Sequence, residues 1–248
     1  MDIKTSLDTE IFHPHTDLSP LLWDDTKNIR PELLPKLMTL AQSYIEFCNI
    51  PEGVKIQDIT LTGSLSGYNY TKYSDLDIHV IIDYSDIKAS EELVTNYFMM
   101  KKNMWTDEFD LKFFTYPIEM YVQDLAQYRA GTSAQYSIVN QEWVHDPEKP
   151  EDDIDETTVV KKSKDIMLQV TELEGDVYND SDFDAEAALE EINALKEKIK
   201  NMRVEAIKQS GDFGTGNLVF KVLRNSGFLQ RITDLKKYIT EKNLSIQN

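Results

Sequence analysis

The stretch "DLDIHVIID" at 75–83 sets two carboxylates one residue apart inside an apolar, β-branched run. It reads as a strand, and in a strand residues i and i+2 share a face. Asp75 and Asp77 therefore project together, with Leu76 and Ile78 turned to the core. A charge in an apolar strand costs several kcal/mol or more unless it is paired or holds a metal, on the order of a whole domain's margin of stability. Two like charges side by side add repulsion, and a divalent cation removes both penalties. A bare Asp-x-Asp also fits exposed residues at a strand entrance, so the neighbours decide.

Two neighbours favour the cation. Gly63-Ser64 follows the short strand "IQDITLT" at a strand-to-helix turn. Glycine lets backbone approach a ligand closely. Amides at a helix start suit a polyphosphate, and Ser64 adds a hydroxyl donor. Glu119 lies between Ile118 and Met120 of the strand-like "PIEMYVQD". If that strand pairs beside Asp75–Asp77, three carboxylates converge, the number that holds two Mg²⁺ ions for in-line phosphoryl or nucleotidyl transfer. Asp110, in "FDLKFF", is the rival third carboxylate; the apolar neighbours of Glu119 favour Glu119.

Around this constellation the pattern divides the chain. Residues 1–29 show no clear period and read as an extended arm, with Leu21, Leu22 and Trp23 tucked onto the body. Leu33, Leu37, Leu40, Tyr44 and Ile45 fall at helical spacing, and Pro31 and Pro35 suit a first turn. Residues 86–104 read as a helix with Leu93, Tyr97, Met100 and Met104 on one side. "FDLKFFT" and "PIEMYVQD" read as strands joined by a turn at Tyr116-Pro117. "DPEKPEDDIDE" is an acidic linker. Beyond it come a stripe of Ile166, Val170 and Leu173 closed by Gly175, and a helix capped by Asp182 or Asp184 with Leu189, Ile192, Leu195, Ile199 and Met202. Two shorter helices follow, one ending near Gly227 and one carrying Ile232, Leu235 and Ile239. The expected organisation is an arm (1–29), an α+β core of mixed sheet and flanking helices (30–146), a linker (147–157) and a C-terminal helical bundle (158–248).

Charge and cysteine content narrow the partners. The formal net charge is -18, whereas nucleic-acid binders carry a basic face; extended DNA binding is not expected. From Lys196 onward, however, 11 Lys+Arg face 5 Asp+Glu, against 15 and 39 in the remainder. That basic segment suits a local phosphate-binding surface, or simply a solvated helical face. The single cysteine, Cys48, rules out an intrachain disulfide and reads as a small buried hydrophobe. No apolar run approaches the roughly 20 residues of a membrane span. The first residues lack a signal-peptide pattern. A cytoplasmic protein without membrane partners is expected.

Taken together, "TGSLSGYNYTKYSDLDIHVIID" and "IEMYVQD" resemble the nucleotidyltransferase superfamily that includes DNA polymerase beta, whose signature is Gly-Ser, then Asp-x-Asp, then a third carboxylate on a later strand. The chain is most similar to small nucleotidyltransferases predicted in tailed-phage genomes. Those share a "TGS…YNW…YSDIDLH" run, a "YVQD" strand, a "YS…N…W" segment and a late "NLVFKVLRRNGY"; here these stand as "YNYTKYSDLDIH", "YVQD", "YSIVNQEW" and "NLVFKVLRNSGF". The resemblance spans Ile29 to Ile239, with Tyr70 in place of Trp and Phe228 in place of Tyr. It implies that Asp75 and Asp77 ligate both Mg²⁺ (or Mn²⁺) ions. Glu119 would complete the ion that activates the nucleophile. Gly63 and Ser64 would hold the triphosphate of an NTP, ATP first among them. The acceptor is a small molecule, a protein or an RNA end, and the compartment is the host cytoplasm if the chain is phage-encoded.

Other residues carry weaker signals. Lys221 and Arg224 lie three apart on one helical face, which suits contact with phosphates of the nucleotide or the acceptor and equally a solvated face. His79 shares the face of Asp75 and Asp77 and is expected to hydrogen-bond at the site edge. His13 and His15 read as surface residues of the arm. "GDFGTG" at 211–216 lacks a preceding strand and a Walker lysine, so it reads as a helix connector. Tyr68, Tyr70, Tyr73 and Tyr136 are candidates to stack a base or to pack. The alternative to an enzyme is a nucleotide- or partner-binding module on the same fold, antitoxin-like or anti-defence in character, without essential catalysis.

Overall fold

The computed structural model describes residues 10–131, 133–149, 154–180 and 183–245. The chain is α+β, with a six-stranded mixed sheet and seven α-helices among the described residues. It divides into two compact units, Pro14–Lys149 and Pro150–Asn248, the latter together with Met1–His13.

The first unit holds the sheet: β1 (Ile56–Thr62), β2 (Leu76–Ile82), β3 (Lys112–Phe113), β4 (Tyr116–Asp124), β5 (Gln135–Ser137) and β6 (Glu142–His145), in the order β3-β4-β2-β1-β5-β6. β2 and β4 are parallel; the other neighbours are antiparallel. A parallel pair needs a crossover of a dozen residues or so, and helix α2 (Glu91–Glu108) lies within it. Strand β2 alternates as expected, with Leu76, Ile78 and Val80 fully buried and Asp77 and His79 half-buried between them. It opens at Leu76, leaving Asp75 just outside.

Two expectations for this unit change. The helix expected from residue 86 starts at Glu91, because Asp83 caps a separate 3-10 turn at Tyr84–Asp86 and Ser90 caps the helix itself. Its buried residues are Val94, Phe98 and Trp105, while Leu93, Met100 and Met104 stay exposed, so the packed face is displaced from the expected stripe. The β3–β4 turn falls at Phe114-Thr115, with Phe114 at φ 54, and Tyr116 and Pro117 already pair with β3.

Helix α1 (Leu34–Cys48) carries Pro35 in its first turn, buries Leu37, Ala41, Tyr44 and Cys48, and ends on a left-handed Asn49. Burial pushes the Cys48 thiol up to about 11. Residues 14–29 are fastened to this unit. The indole N–H of Trp23 donates to the Leu65 carbonyl at 2.7 Å, that of Trp143 donates to Lys27, and the Tyr136 hydroxyl donates to Asn28. Leu22 is buried and Leu21 exposed. His15 is no loose surface residue: its ring stacks on Tyr70, centroids 3.7 Å apart.

The second unit is built of α4 (Glu156–Asn179), α5 (Ala185–Ser210), α6 (Thr215–Asn225) and α7 (Phe228–Leu244). Their apolar stripes form one core with Ile11 and Phe12, so the expected arm is shared between the units. α4 begins inside the expected linker stretch, of which 150–153 lie outside the described residues. It also runs on through Gly175 instead of ending there. Asp184 caps α5; Asp182 lies outside the described residues. The "GDFGTG" stretch is the α5–α6 connection. A Cβ on Gly216 would fall 2.2 Å from the Met202 carbonyl oxygen, so this glycine lets α6 lie against α5. Arg231 of α7 forms an ion pair with Glu174 of α4, and its Nη2 also reaches the Thr171 hydroxyl at 3.2 Å.

Candidate metal centre

Strand alternation and register assemble the site. In β1, β2 and β4, Asp77 stands opposite Thr62 on one side and Glu119 on the other. This pairing fixes two carboxylates side by side. Asp75, preceding β2, completes the set: one oxygen from each of Asp75, Asp77 and Glu119 lies within 4.8 Å of the others, and all three residues are half-buried. Asp110, the rival, is instead exposed and pairs with Lys112.

The loop between β1 and β2 is built around Asp77. Gly63 takes φ 76, and a Cβ there would fall 1.9 Å from Asp77 Oδ2. Only a glycine lets the backbone pass under the carboxylate in this conformation. The turn that follows, Ser64–Ser66, is a 3-10 turn of three residues rather than a helix. Ser64 Oγ lies 2.7 Å from Ser74 Oγ, and Ser74 Oγ accepts from the Thr71 N–H at 2.9 Å. The hydroxyl expected to meet a phosphate therefore braces the turn that delivers Asp75.

Lys102 is the residue that sequence reasoning missed. From α2 its Nζ donates to Glu119 Oε2 at 2.9 Å and contacts the Tyr121 hydroxyl, with Nζ 3.8 Å from that ring's centroid. The Tyr121 hydroxyl also donates to Glu119 Oε2, at 2.8 Å. Burial, reinforced by the Glu119 charge, raises the Tyr121 pKa and keeps the hydroxyl a donor. The signal was present in outline: Lys102 lies four residues after Phe98 and three before Trp105, on the face that α2 buries.

Beyond the carboxylates, His79 Nδ1 lies within hydrogen-bond distance of Gln123 Oε1, at 2.7 Å, and burial lowers the His79 pKa. Of the four tyrosines considered as base platforms, Tyr68 and Tyr136 are buried, Tyr70 is stacked by His15, and Tyr73 is exposed. Lys221 and Arg224 lie on α6 of the helical unit; the carboxylate cluster comes entirely from the sheet unit.

The donor set fits a hard divalent cation. Three carboxylates and one ammonium leave two negative charges, oxygens are the preferred ligands of Mg²⁺ and Mn²⁺, and the site is half-buried rather than sealed. Comparison with protein-family models, with curated proteins and with solved structures returns no match.

Proposed function

We propose that the protein is a metal-dependent nucleotidyltransferase of the polymerase-beta-like superfamily, which moves an NMP from an NTP to an acceptor. The observation that carries this reading is the pairing of Asp77 with Glu119 on neighbouring strands, with Asp75 beside them and Gly63 beneath Asp77. An acidic pair on neighbouring apolar strands, over a turn that only glycine can make, is costly architecture with a use in phosphoryl chemistry. Asp75, Asp77 and Glu119 would hold Mg²⁺ or Mn²⁺. When bound, the metal supplies charge neutralisation and an activated nucleophile.

The chain's own residues do the rest. Gly63 lets the loop backbone pass under the Asp77 carboxylate, the Ser64–Ser74 contact keeps that loop in place, and the triphosphate would lie against the Gly63-Ser64 turn. The acceptor's oxygen or other nucleophile bonds to the α-phosphorus. The bond to the bridging oxygen breaks, pyrophosphate leaves with that electron pair, and the acceptor's proton passes to solvent. ATP is the first NTP to test. The acceptor class is a small molecule, a protein or an RNA end, with Lys221 and Arg224 the residues to examine for an RNA end.

The test is pyrophosphate release and label transfer from each α-labelled NTP in Mg²⁺ or Mn²⁺, against pools of small molecules, proteins and RNA. The wild type should transfer label, and folded Asp77→Asn should not. Equal transfer by both would end this reading. A second reading, a nucleotide- or partner-binding module on the same fold, has one observation in its favour: the Lys102–Glu119 ion pair already neutralises a carboxylate without a metal. NTP binding without any transfer would support it.

A further inference from the structure

We infer that Lys102 is a tethered cation that withholds Glu119 from the metal: the resting protein takes a divalent ion at Asp75 and Asp77, and Glu119 becomes a ligand only when Lys102 releases it. The inference rests on the metal reading of the carboxylates and adds a regulating residue to it.

The geometry gives Lys102 this position. Its side chain is 18% exposed against 33% for Glu119, so the ammonium is the more enclosed partner. It reaches Glu119 Oε2 at 2.9 Å, and that same oxygen accepts from the Tyr121 hydroxyl at 2.8 Å. Oε2 is thus already served by two donors. The aromatic face of Tyr121 further favours a cation at this spot. α2 is anchored on either side of Lys102 by buried Phe98 and Trp105, which keeps the ammonium at the carboxylate. Glu119 oxygen lies within 4.8 Å of oxygens from both aspartates. An ammonium bonded to Glu119 and a divalent ion ligated by the same carboxylate would repel, even at an effective dielectric of about 20. Full capture of Glu119 by the metal and the Lys102 ion pair are therefore competing states. An arriving nucleotide polyphosphate, carrying charge of the sign that attracts Lys102, is the natural agent of release.

The experiment is Mn²⁺ titration of the full chain without nucleotide, with free Mn²⁺ followed by electron paramagnetic resonance and folding checked by circular dichroism. Lys102→Met should tighten Mn²⁺ binding, or add a second ion, with a gain of roughly tenfold or more from the lost repulsion. Lys102→Arg, which keeps the charge, should track the wild type. Combining Glu119→Gln with Lys102→Met should abolish the gain. If Lys102→Met does not fold, Lys102→Gln carries the same comparison. Mn²⁺ binding by all variants with no dependence on Lys102 would overturn this inference and leave the metal reading standing. An absence of Mn²⁺ binding in every folded variant would overturn both.

Discussion

Gly63 and Asp77 make the most constrained contact in the site. At φ 76, with Asp77 Oδ2 1.9 Å from where a Cβ would stand, Gly63 meets two demands at once. Gly53 offers an internal control, since its φ is 91 but nothing lies near its would-be Cβ. Gly53→Ala should cost only the left-handed backbone penalty, about 1–2 kcal/mol. Gly63→Ala should cost that penalty and also push Asp77 out of register with its partners, adding about 1–3 kcal/mol of local strain. Denaturant melts of both variants give the stability terms, and Mn²⁺ titration gives the site's response. Loss of Mn²⁺ affinity is expected for Gly63→Ala alone; equal affinity in the two variants would show that the cradle is incidental. At this scale the convergence of Asp75, Asp77 and Glu119 was legible in sequence, because a carboxylate in an apolar strand is expensive enough to demand a reason. The Ser64–Ser74 brace was not legible, since it joins residues across a loop whose path no local pattern specifies.

Elements differed in how openly they declared themselves. β1 occupies the expected "IQDITLT" in full, because alternation and β-branched residues leave few other choices. Helix α2 was legible as a helix but not in its facing. Its sequence holds two interleaved stripes, Leu93-Tyr97-Met100-Met104 and Val94-Phe98-Trp105, offset by one residue. Local spacing cannot rank them; tertiary partners do. Trp105 meets the ring of Tyr44 and Phe98 meets that of Tyr84, at centroid distances of 5.2 and 5.7 Å. The same choice brings Lys102 to Glu119, so the misjudged face and the missed residue share one cause. Phe98→Ala should therefore cost about 3–5 kcal/mol, while Met100→Gln should stay within about 0.5 kcal/mol. Reversed magnitudes in urea melts would mean that α2 packs on its methionine face.

For the whole molecule, the division into a sheet unit and a helical unit was foreseeable from the change of period after the acidic linker, but the fate of the N-terminal segment was not. Ile11 and Phe12 join the helical core while Trp23 joins the sheet unit, and both are long-range choices. The helical unit depends on its own polar tie. Arg231→Ala would leave Glu174, 17% exposed, without its guanidinium and should cost about 1–3 kcal/mol. Arg231→Lys should recover only part, since it loses the bidentate fork. A thermal melt in which both variants match the wild type would assign that pair no role. The central proposal concerns the sheet unit: its three carboxylates would hold a cation that brings in a nucleoside triphosphate. Calorimetric titration of ATP, and then of the other NTPs, into the full chain tests it most directly, once with Mg²⁺ or Mn²⁺ and once with excess chelator. Triphosphate and carboxylates repel each other without the cation, so binding should appear with the metal and vanish with the chelator, and Asp77→Ala should lose it while remaining as stable as the metal-free wild type or slightly more so. Equal affinity in chelator, or undiminished binding by Asp77→Ala, would contradict the account.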